Sequence, residues 1–261
     1  MLCFCSGLAF NGIDDGMAFN DGDFVEIEYS AWREADNALL YTTYKEQAEK
    51  AGIYDKNREY GPALVVIGSN GVVRGLEREL RNMSPGETKK FKLEPKDAFG
   101  DRREELVKVM PLSEFRAHNI NPEPGMSIDI DGIPSTVRSV NSGRVVVDQN
   151  HPEAGMNIMY EVKVLKRIED EAEKVESLGR TYGAKPSKVS LKGGEAELLY
   201  DDDVKKNADY FVGKANLVAS VFNYLKGVKK LYVREEFINP EEKAKPKSGS
   251  EGEGKDGEKK E

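Results

Sequence analysis

The most informative stretch of this sequence is the run Gly68-Ser69-Asn70-Gly71-Val72-Val73-Arg74-Gly75-Leu76-Glu77. Its glycine turn leads into a helix start with two β-branched residues, and the apolar spacing predicts a helix from Val72 to about Arg81. A turn at Pro85-Gly86 then precedes a predicted strand from Thr88 to Leu93. The next turn has the sequence Pro95-Lys96-Asp97-Ala98-Phe99-Gly100.

Four further elements are predicted on the N-terminal side of this stretch. Alternation of apolar and polar residues predicts one strand from Phe24 to about Ala31 and another from Leu39 to Thr43. The charged, alanine-containing residues from Tyr44 to Lys56 are typical of a helix. The run from Ala63 to Ile67 is almost wholly apolar, so we expect a buried strand there.

The turn pattern changes after Asp101. Short strands are predicted in the residues that follow, over Leu106–Met110, Ser127–Ile130, Ser135–Asn141 and Val145–Asp148. Asp131-Gly132 and Ser142-Gly143 provide turns between the last three of these strands. A sharp return turn from Asn150 to Gly155 then leads into a predicted strand from Asn157 to Lys166.

The C-terminal part of the chain has its own pattern, reached through a predicted acidic linker helix from Ile168 to Leu178. Gly193-Gly194 joins two alternating strands into a hairpin, and a strand from Leu231 to Phe237 completes a ββαβ order. A long helix is predicted between them, kinked at Gly213. Its apolar residues recur at spacings of three and four and form a stripe of Val204, Ala208, Phe211, Ala215, Val218, Phe222 and Leu225.

The predicted fold class is α+β, and the chain divides into five segments. These are a disordered or mis-assigned leader over 1–20, a main domain over 21–100 and 151–168, an inserted domain over 101–150, a C-terminal domain over 169–240 and a charged tail over 241–261. The tail is expected to be disordered because it has almost no apolar residue to bury.

Composition excludes several classes of partner. The 261 residues carry a net charge of -8, which argues against a general binder of phosphate backbones. The two cysteines, Cys3 and Cys5, stand without a second ligand cluster, so free thiols are expected rather than a metal site. No Lys or Arg precedes Arg33, which is unlike an export signal, and we expect a cytoplasmic protein that binds neither nucleic acid nor a membrane.

The groups used for most covalent chemistry are absent from the sequence. His118 and His151 are the two histidines, and each is interpreted as a turn or surface residue. There is no His/Cys cluster, no phosphate-binding loop and no complete dinucleotide fingerprint, so no metal and no cofactor is expected. A reaction that breaks a covalent bond is therefore poorly supported.

The order of turns, helix and strands described above resembles the FKBP-type peptidyl-prolyl isomerases, over about residues 21–100 and 150–168. The resemblance implies an antiparallel sheet wrapped on a short helix, and an apolar cup that receives a proline ring. The residues that match the family's cup are Tyr29, Leu40, Tyr41, Val72, Val73, Leu76, Phe99 and Tyr160. Without the resemblance, ordinary core is the preferred interpretation of each of these residues.

The sequence departs from the family pattern at two places in this cup. Leu40-Tyr41 stands before Thr42-Thr43, where the family usually has a Phe-Asp pair. Phe99 lacks the hydroxyl that a tyrosine would offer to a ligand carbonyl. Isomerase activity is expected to survive because removal of water from the prolyl bond needs neither group, whereas binding of macrolide-type inhibitors is in doubt.

The inserted domain resembles the insert-in-flap module of the SlyD-like branch, which binds unfolded chain segments, and the C-terminal domain resembles the extra domain of long archaeal members. The resemblance implies a client-binding groove lined by Val107, Val109, Met110, Leu112, Phe115, Met126 and Ile128. These residues are equally interpreted as the small core of the insert itself. Two rival hypotheses are a non-catalytic binding module with a degenerate pocket, and a scaffold that forms a homodimer through the C-terminal helix.

Overall fold

The computed structural model describes residues 19–204 and 210–239. The chain divides into two compact units, Met1–Glu169 and Asp170–Glu261. Cys3, Cys5, most of the predicted leader and the predicted tail lie outside the described residues. Phe19 is an exception that corrects the predicted leader, because its side chain is fully buried in the core of the first unit.

The first unit contains the strands and helices of the main and inserted domains. Its strands are β1 (Phe24–Arg33), β2 (Leu39–Thr42), β3 (Ala63–Val66), β4 (Thr88–Leu93), β5 (Val107–Pro111), β6 (Ser127–Ile130), β7 (Ile133–Asn141), β8 (Arg144–Asp148) and β9 (Ile158–Ile168). Its α-helices are α1 (Lys45–Lys50), α2 (Arg74–Arg81) and α3 (Leu112–Ala117).

The main domain is an antiparallel sheet with the order β2-β1-β9-β4, and β3 also pairs with β1. Helix α2 contributes Leu76 and Leu80 to its core. These two residues are four apart and therefore lie on one face of the helix. This arrangement confirms the predicted fold of a sheet that packs on a short helix.

Two predicted helices are too long. Helix α2 begins at Arg74 and not at Val72, because the Val73 backbone is extended, with ψ of 142°, and serves as the N-cap. Helix α1 ends at Lys50, well before the predicted Lys56, and Gly52 follows with a φ of +69°. A glycine in this left-handed conformation is a common way to end a helix.

The inserted domain has its own four-stranded antiparallel sheet in the order β5-β8-β7-β6. Asp131-Gly132 and Ser142-Gly143 form its tight turns with positive φ at each residue, as predicted. Helix α3 was not predicted, because a single short turn of helix after Pro111 leaves little periodic signal. Its Phe115 packs with Val137, Val145 and Val147 in a separate small core.

The second unit is built from α4 (Glu171–Thr181), β10 (Lys188–Lys192), β11 (Glu195–Tyr200), α5 (Tyr210–Tyr224) and β12 (Lys230–Glu235). Its sheet has the order β10-β11-β12, with an antiparallel hairpin and a parallel β11–β12 pair. A parallel pair requires a crossover, which α5 provides. The predicted ββαβ order is confirmed, and the predicted linker helix is α4 of this unit.

Helix α5 buries a different face from the predicted stripe. Tyr210, Leu217 and Val221 are buried, whereas Phe211 and Phe222 are exposed. Gly213 does not interrupt the helix. A Cβ at this position would lie 2.0 Å from the carbonyl oxygen of Tyr182, so the glycine permits a close backbone approach.

Two absences concern only the described ranges. None of the helices there combines the length and the apolar character that a bilayer crossing requires. In those ranges, too, no three His, Cys, Asp or Glu side chains are grouped so that they could hold a metal ion.

Candidate functional site

Two neighbouring strands of the main sheet place a pair of tyrosines side by side. Tyr29 lies on β1 and Tyr160 on β9, and their ring centroids are 6.2 Å apart. Phe91 on β4 stacks on the other side of Tyr160, at 5.9 Å. Tyr29 is held by Thr43, whose hydroxyl accepts from the Tyr29 backbone N–H at 3.0 Å and whose backbone N–H donates to the Tyr29 carbonyl at 2.9 Å.

The loop after β4 places Phe99 opposite these tyrosines. The Phe99 ring lies 6.1 Å from the ring of Tyr41 and 4.3 Å from the imidazole of His151, with which it is almost parallel. His151 is the second residue of the return turn after β8. The loop of Phe99 and the return turn are joined by the bond from the Gly155 N–H to the Gly100 carbonyl, at 2.8 Å.

The start of α2 forms the third side of the site. Val73 is the N-cap, so its N–H and those of the first helical turn have no partner within the helix. Gly75 brings this helix against the Phe99 loop, since a Cβ there would lie 2.8 Å from the Asp97 carbonyl oxygen. Arg78 completes the contact with an ion pair to Asp97 at 3.1 Å.

The structure brings the eight predicted cup residues into one cluster. Leu76 and Tyr160 belong to its buried part. The other six are partly buried and pack against it, namely Tyr29, Leu40, Tyr41, Val72, Val73 and Phe99. These residues come from β1, β2, β9, the start of α2 and the loop after β4, so the cluster is assembled only by the tertiary fold.

Three residues of the site were missed in the sequence. Phe91 was interpreted only as a strand residue, and His151 only as a turn residue. Glu153 received no role, although its side chain is only 14% exposed and lies beside His151. The position of the return turn could have identified His151 and Glu153. The turn comes shortly before β9, the strand that carries Tyr160, and therefore passes close to the cup.

The tyrosine hydroxyls of this cluster hold their protons. Burial, together with the charge of the neighbouring Glu153 carboxylate and its hydrogen bond, raises the pKa of Tyr41 to about 12. Burial likewise raises the pKa of Tyr160 above its usual range. Both hydroxyls therefore keep their protons at physiological pH, and the Tyr41 hydroxyl donates its proton to Glu153.

The seven predicted client-binding residues are divided between the surface and the core of the insert. Val109 and Met126 are exposed, Val107, Met110 and Leu112 are half-buried, and Phe115 and Ile128 are buried. Met110, Phe115 and Ile128 also line an open cleft of about 520 Å³. Ile120 and Ile130 contribute further apolar surface to this cleft.

Comparison with known proteins bears on this site. The family described as FKBP-type peptidyl-prolyl cis-trans isomerase matches residues 16–115. A short-type peptidyl-prolyl cis-trans isomerase of Methanocaldococcus jannaschii is 32% identical over 143 residues, which cover 55% of this chain and 90% of that protein. The chain belongs to the FKBP-type peptidyl-prolyl cis-trans isomerases. It is therefore an isomerase that acts on proline-containing polypeptides.

Other similarities concern the insert and the fold. The family described as FKBP26, IF domain matches residues 108–153 of the isomerase. The FKBP-type isomerase SlyD of Helicobacter pylori is 29% identical over 133 residues, 49% of this chain and 70% of that protein. A solved N-terminal domain of FKBP42 from Arabidopsis thaliana has 16% identity and a TM-score of 0.32, covering 59% of this chain and 79% of that one. That likeness is too low to add to the assignment.

Proposed function

We propose that the isomerase turns prolyl bonds in the cup formed by the eight clustered residues, and that the insert delivers unfolded clients to this cup. The observation that carries the first part is the convergence of Tyr29, Phe99 and Tyr160 around the start of α2. A degenerate, non-catalytic pocket is the weaker alternative. Leu40 and Tyr41 pack against the core cluster and so maintain an apolar side of the cup.

The chemistry requires no covalent step. Rotation about the prolyl amide faces a barrier of about 18–20 kcal/mol, because resonance gives the bond partial double-bond character. Water stabilises the planar, polar form of the amide. An apolar cup removes this water and fits the twisted bond better than the planar one, which is differential binding of the transition state. The N–H groups at the start of α2 and the neutral Tyr160 hydroxyl are suitable donors to the substrate.

Replacement of either Tyr29 or Phe99 by alanine will lower kcat/KM for a short prolyl peptide by about tenfold to a hundredfold. Burial of one large side chain contributes about 1.5–3 kcal/mol, and each 1.36 kcal/mol corresponds to about a factor of ten in rate. A protease-coupled assay measures the loss. Tyr54→Ala is the matched control, because Tyr54 is an exposed tyrosine outside the cluster. Unchanged catalysis in both cup variants would place the site elsewhere.

The chaperone part of the proposal rests on the cleft of the insert. Met110 and the isoleucines at its wall offer apolar surface, and methionine adapts to partners of varied shape. The insert has its own core and sheet, so this surface is presented by a folded domain. We infer a cytoplasmic location from the cysteine content. With Cys3 and Cys5 as its two cysteines, the chain has no disulfide framework, which fits a reducing compartment.

We also propose that the protein forms a homodimer through α5. Phe211 and Val212 are 64% and 68% exposed and Phe222 is 42% exposed, which together form an unusual apolar face for a surface helix. A second copy of this face would cover it. This part of the proposal is independent of the cup.

Sedimentation equilibrium of the full-length protein will show a dimer at tens of micromolar. Phe211→Ser will shift it to monomer because the substitution removes the largest apolar contact of the face. Tyr232→Ser is the control, because it replaces an exposed aromatic residue on β12 instead. Truncation after Arg167 will also give a monomer. A wild-type protein that sediments as a monomer at this concentration rejects the dimer.

A further inference from the structure

The prolyl cup contains a carboxylate for which the isomerase mechanism has no use. Glu153 lies in the return turn between β8 and β9, and its side chain is 14% exposed. Its Oε2 atom is buried and has no hydrogen-bond partner among the described residues. A buried carboxylate oxygen without a donor is costly, so its presence at a site that receives ligands points to a role in recognition.

The neighbours of Glu153 place it at the wall of the cup. The Tyr41 hydroxyl donates a hydrogen bond to this carboxylate. The His151 ring, which stacks on Phe99 at 4.3 Å, lies on its other side. The carboxylate therefore contacts Tyr41 and His151, the two side chains that pack against Phe99.

One ring nitrogen of His151 contacts both the backbone and the side chain of Glu153. This atom, Nδ1, is 2.9 Å from Oε2 and accepts the backbone N–H of Glu153 at 3.3 Å. In the part of the chain that the structure describes, His151 is the one side chain within ion-pairing distance of Glu153.

We propose that Glu153 is a specificity-determining residue that favours prolyl bonds preceded by lysine or arginine. The long aliphatic part of such a side chain can lie along the aromatic wall while its charged end reaches the carboxylate. The cation balances the charge of the carboxylate, and an acidic residue at the same position is repelled. This inference rests on the proposed cup and names the substrate class that the cup prefers.

The test uses the full-length protein and four prolyl peptides that differ only before proline, where they carry lysine, norleucine, leucine or glutamate. The wild-type protein will have a kcat/KM for the lysine peptide about tenfold higher than for the norleucine peptide, as expected for a charge pair that is partly shielded from water. In Glu153→Gln this ratio will fall to about one, because the amide keeps the size and the bond from Tyr41 but carries no charge. The matched control is Glu123→Gln, which removes an exposed carboxylate in the insert and will keep the wild-type ratio.

A ratio near one in the wild-type protein, or an unchanged ratio in Glu153→Gln, overturns the inference. If Glu153→Gln does not fold, Glu153→Leu tests the same loss of charge. The salt dependence of the wild-type lysine-to-norleucine ratio is a second test, since added salt weakens a preference that depends on charge and leaves an apolar preference unchanged. Tyr29→Ala and Phe99→Ala separate this result from the proposed function. If they lose activity on every peptide while Glu153→Gln keeps the lysine preference, the cup is correct and the role of Glu153 is wrong. If they remain active, the cup itself is wrong.

Discussion

Excision of residues 101–150 will slow the catalysed refolding of a whole protein by about a hundredfold, while short-peptide isomerisation changes by less than about threefold. A tethered client site raises the effective concentration of the client at the cup, and such linkage increases apparent affinity by about 10²–10⁴. The measurement is refolding of a protein whose slow step is isomerisation of one proline, followed beside a tetrapeptide assay on the same sample.

The structure makes this excision practicable. The Gly155 N–H donates to the Gly100 carbonyl at 2.8 Å, so the two ends of the insert lie next to each other and a short turn can join them. Phe99 and Tyr160 lie outside the excised segment. Because the excised protein keeps both residues, its activity in the tetrapeptide assay shows whether the cup is still intact.

A point substitution will test the cleft without removing the insert. Met110→Gln, at the wall of the cleft, will reproduce part of the refolding loss because it replaces apolar surface of the proposed client site with an amide. Lys108→Gln is the matched control on the same strand, where the side chain is exposed. Equal refolding by the excised and the full-length protein would show that clients do not bind the insert.

Asp148→Asn will lower the free energy of unfolding by about 3 kcal/mol, near the lower end of the cost of breaking a buried ion pair. The Asp148 side chain is 1% exposed and accepts bonds from Arg138 and Arg102, and from the side chain and backbone N–H of Asn150. Asn150 in turn pairs with the backbone N–H and carbonyl of Arg103, both at 2.8 Å. This network therefore joins the two ends of the insert, residues 102–103 and 148–150, to each other.

The effect will depend on pH in a defined direction. Burial alone would raise the pKa of Asp148, but the bonds from Asn150, Arg138 and Arg102 outweigh it and hold the pKa well below its usual range. The carboxylate therefore stabilises the fold at pH values above about 4, the ordinary pKa of aspartate, and this contribution is lost as the pH falls further.

Urea unfolding at pH 7 and at pH 3, with hydrogen exchange of β7 and β8 as the local probe, measures both effects. The difference between Asp148→Asn and the wild-type protein will be largest at pH 7 and smaller at pH 3. Asp131→Asn is the control, because Asp131 is an exposed turn residue with a φ of +54°, which asparagine adopts readily. A variant as stable as the wild-type protein at pH 7 would contradict the structural role of this network.

Local patterns predicted the secondary structure well where the patterns were strong. The glycine turn before α2, the strand from Thr88 to Leu93 and the turns of the insert are all present. Errors occur where local signals compete with tertiary contacts. Helix α2 starts two residues late because Val73 is extended at its N-cap. The stripe on α5 was misread because both of its faces are apolar, and periodicity alone cannot show which one is covered.

The sequence by itself determined the antiparallel main sheet, the insert and its turns, and the residue types of the cup, because these follow from period, turn chemistry and a family resemblance. Only the tertiary structure decided which side chains face one another. The contact of His151 with Phe99, the network around Asp148 and the burial of Glu153 each join residues that are far apart in the chain or hidden within a turn. No local pattern encodes such contacts, since they depend on where the sheet brings separate segments together.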